Sequence, residues 1–120
     1  YLVGTTAIVT ESDLPMLFQS HLYCIRSLDH SRIDPFLLLA VLNTSIVKAQ
    51  IKAKQFTQDI IDTLGRRLME LKLPFPRDAS RCKKVAKETR KLVETRIELR
   101  NRAQAIPREI EDGVFDVDDI

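Results

Sequence analysis

Three glycines in 120 residues, none of them clustered, leave no glycine-rich loop between a strand and a helix, so neither a nucleotide site nor a methyl-donor site is visible. No uninterrupted apolar run is long enough to span a bilayer and no secretory leader opens the chain, which points to a cytoplasmic protein. Cysteine is scarce as well. Cys24 and Cys82 lie in different segments without a CxxC spacing, and no histidine pair stands nearby at metal-ligand spacing. Two buried free thiols are therefore expected, and a metal is not. His21 and His30 have no serine or cysteine nucleophile in a recognisable context, and each reads as a surface or structural side chain. A non-catalytic chain without a cofactor is the expectation.

What is present is ordinary in amount and uneven in placement. Hydrophobic residues make up 44% and charged residues 30%, the balance of a soluble globular protein. The length fits one domain, or one compact body with an appendage. Tyr1 in place of a methionine is what an excised or processed chain would show. The formal net charge of +2 conceals an asymmetry: Arg77, Arg81, Lys83, Lys84, Lys87, Arg90 and Lys91 crowd one stretch, while Glu109, Glu111, Asp112, Asp116, Asp118 and Asp119 fill the end. A basic cluster on a helix is either a solvated face or a surface for phosphates, which would attach it to nucleic acid without specifying sequence. The acidic end would cover that face when no polyanion is present, or simply face solvent.

The basic stretch opens a long helix. Pro74 and Pro76 bias Leu73 and Phe75 toward extended backbone, and Asp78 or Ser80 then offers an N-cap. From there to Pro107 no glycine or proline intervenes, and Ala, Leu, Lys, Arg and Glu dominate. Val85, Leu92, Leu99 and Ile106 recur every seventh residue, with Cys82, Thr89, Arg96 and Ala103 as the weaker companion position. Ala86 and Val93 widen the stripe. Such a helix, of roughly 26 residues at 1.5 Å each, spans about 40 Å. That is longer than a small body needs, so it should reach for a partner.

The rest of the chain reads as that body. Ala7-Ile8-Val9 is a short β-type run, and Leu17 to Arg26 looks like a strand buried on both faces. Asp34-Pro35 starts a helix that runs through Leu42 to Ile51, apolar on nearly every side at first and basic later, with Asn43-Thr44-Ser45 marking a bend or a polar contact. Phe56, Ile60 and Ile61 anchor the next stretch; Leu64-Gly65 breaks it; Leu68 and Met69 return to the core; Leu71 to Phe75 is a closing strand. The predicted fold is α+β: a small mixed body with a few short strands and a core helix, then a long amphipathic, coiled-coil-like helix. The parts are residues 1–76, 77–106 and an acidic tail, 107–120.

The order of these pieces resembles a known family. A strand ending in Leu22-Tyr23-Cys24-Ile25-Arg26 is followed by a helix opened by Asp34-Pro35 and carrying Leu42-Asn43-Thr44. A polar Gln55-Phe56-Thr57-Gln58 element comes next, then Leu71-Lys72-Leu73-Pro74-Phe75-Pro76 and the long helix. This is similar to the second half of the target-recognition domain, with its following helix, of specificity subunits in type I restriction-modification systems. Similar domains are fused to some N6-adenine DNA methyltransferases. The resemblance covers roughly residues 4–106; the family usually has Gly where Phe56 stands and a Glu-Gln pair where Ser80-Arg81 stand. It implies a non-catalytic module that reads a half-site on double-stranded DNA, with its long helix acting as a spacer that docks a methyltransferase subunit. Val85, Leu92, Leu99 and Ile106 would carry the docking. Asp34-Pro35-Phe36 also approaches the Asn/Asp-Pro-Pro-aromatic motif of amino-methyltransferases, but it lacks the second proline and reads as a helix cap.

DNA reading needs polar side chains that pair with base edges, set among cations that hold phosphates. Lys52, Lys54, Gln55, Thr57, Gln58, Arg66 and Arg67 offer that mixture in one stretch. Glutamine suits adenine and arginine suits guanine; the plainer reading makes Gln55 and Gln58 surface residues and Thr57 a cap. Two other function classes stand beside it: a pure interaction module whose long helix forms a homodimer without DNA affinity, and a small enzyme, disfavoured because no constellation of catalytic groups can be named.

Overall fold

The computed structural model describes residues 4–18, 22–54 and 65–115, apart from the side chains of Arg66 and Phe115. Its helices are α1 (Pro35–Leu42), α2 (Ser45–Lys54) and α3 (Ala79–Phe115), with short 3-10 helices at Glu11–Asp13 and Gly65–Glu70. The chain divides into two compact units, Tyr1–Thr89 and Arg90–Ile120.

The core of the first unit is built on α1. Asp34 caps it, its carboxylate accepting the Phe36 amide at 2.8 Å, and Pro35 occupies the first helical position, where its missing N–H has no partner to lose. Leu37, Leu38, Val41 and Leu42 are buried, as are Val47 and Ile51 of α2 and Ala86 of α3. The predicted single helix is two. Thr44 ends α1, its hydroxyl donating to Val41 O at 2.7 Å, and starts α2 by accepting the Val47 amide at 3.3 Å. The axes bend by 62° across this break. Among the described residues no single helix is long and apolar enough to cross a membrane; α1 and α2 reach that length only together, across the bend.

The α+β expectation is overturned: among the described residues there is no strand and no sheet, and the fold is helical. Each predicted strand fails for a local reason. Residues 71–76 carry no regular secondary structure, the Phe75 amide donating to Leu73 O at 3.1 Å, and α2 meets the backbone of Lys72 through one side chain. Gln50 Nε2 donates to Lys72 O at 2.7 Å and the Lys72 amide donates to Gln50 Oε1 at 2.8 Å, an amide standing where a neighbouring strand would. Leu71, Leu73 and Phe75 pack against the core from there. Residues 17, 18 and 22–26 are exposed at every position, so the described part of the stretch read as doubly buried is uncovered instead; residues 19–21 lie outside the described residues. Residues 4–10 alternate between half-buried and exposed, as one side of a strand would, without a strand beside them. Gly4 has φ +88°, and a Cβ there would lie 3.2 Å from the Ile51 side chain, so glycine lets this segment close onto α2.

Smaller corrections follow the same logic. Leu68 packs on the core but Met69 is 87% exposed, because consecutive residues of the 3-10 helix point different ways. Cys24, expected to be buried, is exposed, and Cys82 is half-buried; both are free thiols. Pro107, read as the helix stop, lies inside α3, which continues to Phe115. A proline removes one backbone hydrogen bond from the ladder, and the good helix formers Arg108, Glu109, Ile110 and Glu111 resume it.

Candidate functional site

The candidate site is α3 and the chain that leads into it. Pro76 O accepts from the Cys82 thiol at 3.3 Å, tying the end of the segment before α3 to its first turn. Asp78 is the cap: its carboxylate accepts the Ser80 amide at 2.9 Å and the Ser80 hydroxyl at 2.9 Å. The Ser80 hydroxyl, then its amide, hold the Asp78 carboxyl below its ordinary value. On this first stretch Cys82 and Val85 pack against the core and Ala86 is buried in it, while Arg81, Lys83, Lys84 and Lys87 are exposed.

Beyond Thr89 the burial changes. Leu92 is 66% exposed, Leu99 57% and Ile106 60%, and Ile110 and Val114 are exposed as well. At 3.6 residues per turn these five and Ala103 fall within an arc of about 80°. The predicted seam therefore divides. Val85 belongs to the core of the first unit; Leu92, Leu99 and Ile106 form an uncovered stripe in the second. Ile110 and Val114 extend that stripe; the spacing of four from Ile106 and from Ile110 was the signal for them, hidden by the assumption that Pro107 ends the helix.

The predicted DNA-contacting residues are only partly brought together. Lys52 is exposed on α2. Lys54 is half-buried and pairs with Glu70, Nζ to Oε2 3.1 Å. Arg67 Nη1 donates to Lys54 O at 3.0 Å, closing the 3-10 helix onto the end of α2. Two of the seven are thus engaged in holding the body together. Arg66 lies in the 3-10 helix, with its side chain outside the described residues. Gln55, Thr57 and Gln58 lie outside the described residues. The second predicted cap position, Ser80, instead supports Asp78.

Among groups weighed for catalysis, Asp34 is committed to capping α1, His30 is exposed, and His21 lies outside the described residues. Asp29, in the loop before α1, accepts from the Ser31 hydroxyl and amide; these bonds, the hydroxyl first, lower its pKa. Among the described residues no cluster of three or more His, Cys, Asp or Glu side chains is placed to hold a metal ion. No protein-family description, curated protein or solved structure matches this chain.

Proposed function

We propose that this chain is the non-catalytic, helix-bearing part of a DNA sequence-recognition module of a restriction-modification system. It meets double-stranded DNA with its cations and offers the later part of α3 to a methyltransferase subunit or a second recognition unit. The observation that carries this reading is the division of α3: one helix is anchored in a core at Cys82, Val85 and Ala86 and leaves Leu92, Leu99, Ile106, Ile110 and Val114 uncovered further on. A helix whose apolar stripe is uncovered gains its stability from a partner surface. Leu71, Leu73 and Phe75 pack on the core directly before α3, although the strands of the order on which the resemblance rests are absent among the described residues. The chemistry of methylation or cleavage belongs elsewhere in such a system.

Binding to mixed-sequence duplex DNA, followed by fluorescence anisotropy, tests this. Saturable binding at about 50 mM salt is expected, weakening by tens of fold at about 200 mM if some three phosphates are contacted. No binding at the lower salt would remove the DNA half of the proposal.

A second reading, helix-mediated self-association without DNA affinity, is favoured by the internal use of Lys54 and Arg67. The charge pattern of the second unit sets the orientation such a pair would take. Arg90, Lys91, Arg96, Arg100 and Arg102 outnumber Glu94 and Glu98 in its first half; Glu109, Glu111 and Asp112 outnumber Arg108 in its second. An antiparallel pair sets opposite charges together, and a parallel pair sets like against like. A concentration-dependent dimer in sedimentation equilibrium, dispersed by Leu99→Asp, combined with no DNA binding, would select this reading.

A further inference from the structure

We propose that the side of α3 turned away from the core, carrying Arg81, Lys83, Lys84 and Lys87 and preceded by Arg77, lies along the sugar-phosphate backbone of duplex DNA. This rests on the DNA-recognition reading and moves the phosphate grip from residues 52–67 to the start of the long helix.

Four observations meet there. Cys82, Val85, Ala86 and Thr89 form the buried or half-buried side of this stretch. At 3.6 residues per turn the four cations centre on the opposite side. The helix is also fixed in place, by its Asp78 cap at one end and by the core contacts along its back. A cationic surface mounted in this way loses less freedom on binding than lysines on a loop.

Second, these charges have no ion-pair partner among the described residues. Lys54 pairs with Glu70 and Arg102 with Glu98, but among the described residues no carboxylate pairs with Arg77, Arg81, Lys83, Lys84 or Lys87. Glu88 stands four residues after Lys84, the spacing of a helical ion pair, and makes none with it. Asp78, the other carboxylate in the stretch, is turned to the Ser80 amide and hydroxyl.

Third, the cations oppose one another. Arg81 and Lys84, Lys84 and Lys87, and Lys83 and Lys87 stand three or four residues apart, where like charges destabilise a helix. An anion laid across them relieves that repulsion.

Fourth, the length fits. Arg81 to Lys87 spans about 9 Å of helix axis, over which one strand of B-DNA presents two to three phosphates at about 3.4 Å each along its own axis. The contacts are to backbone and carry no sequence information; they would set the register for base-reading groups elsewhere.

The test is the salt dependence of duplex binding by the full chain and by the triple variant Lys83→Gln/Lys84→Gln/Lys87→Gln. Each lost phosphate contact lowers the slope of log affinity against log salt by about 0.9, so the triple variant should lose roughly 2 to 3 from the slope. Its affinity at low salt should fall at least about tenfold by the same relation. The arginine triple variant at the same positions should restore both. Thermal stability of the glutamine variant should not fall, since the change removes like-charge repulsion, so lost binding would not reflect lost folding. Wild-type binding with an unchanged slope in the glutamine variant would overturn this inference and leave the DNA-recognition reading standing. Absence of wild-type binding would overturn both, as would binding to anionic phospholipid vesicles without binding to DNA.

Discussion

The two stretches of α3, Ala79–Thr89 and Arg90–Phe115, are written in the same vocabulary of Lys, Arg, Glu, Ala and β-branched or leucine residues, yet only the first contributes side chains to the core, Val93 and Ile97 of the second being half-buried. In the first, small or medium side chains meet the core: Ala86 is 8% exposed, with Cys82 and Val85 beside it. In the second, large side chains at the same seven-residue spacing stay open. A heptad reports that a stripe is apolar; it does not report whether the covering surface belongs to the same unit. The modest seam residues of the first unit and the bulky ones of the second fit two different demands, close approach to an existing core and capture of a separate partner.

The largest expected effect contrasts leucines. Leu37→Ala, in the core of the first unit, should cost about 2–5 kcal/mol in denaturant unfolding. Leu99→Ala, in the uncovered stripe, should change the stability of dilute protein by no more than about 0.5 kcal/mol. A comparable cost at Leu99 would show that its stripe is already covered. A matched pair on α3 sharpens this at smaller scale. Ala86→Leu should cost about 1–3 kcal/mol by overpacking, whereas Ala103→Leu, at an exposed position with nearly equal helix propensity, should be near neutral. Equal effects of the two changes on the melting midpoint would erase the distinction between the stretches.

The smallest effect concerns the start of α3. Asp78 is ionised more readily in the folded chain because the Ser80 hydroxyl and amide stabilise its carboxylate. Its contribution is therefore complete above the ordinary aspartate pKa of about 3.9 and is lost as pH falls through the lower folded value. Asp78→Asn should accordingly lose less stability than the wild type when the pH is lowered from about 5 to 2. Identical acid limbs in thermal scans would show that the cap contributes nothing that depends on its charge.

Much of this helical skeleton could be read from residue order. Asp34-Pro35 marked the start of α1, Asp78 was among the two caps named for α3, and Val85 and Leu92 stood at the spacing that α3 displays. The strands could not be judged in this way, because β-type residues are equally content as extended chain when something else meets their backbone. Gln50 does that for Lys72 from 22 residues away. The break between α1 and α2 was visible as a polar triplet, but its meaning required seeing Thr44 serve both helices. The cationic residues could be named but not sorted: composition does not distinguish Lys54, held by Glu70, from Lys84, which is unpaired among the described residues.

Amide hydrogen exchange along α3 at low micromolar protein concentration tests the division of this helix most directly. Amides from Lys83 to Thr89 should exchange only through openings close to global unfolding, while those from Leu99 to Ile110 should exchange orders of magnitude faster and slow when a partner covers the stripe. Equal, strong protection from Val85 through Ile110 in the dilute chain would contradict it, because the second stretch would then be stable without a partner.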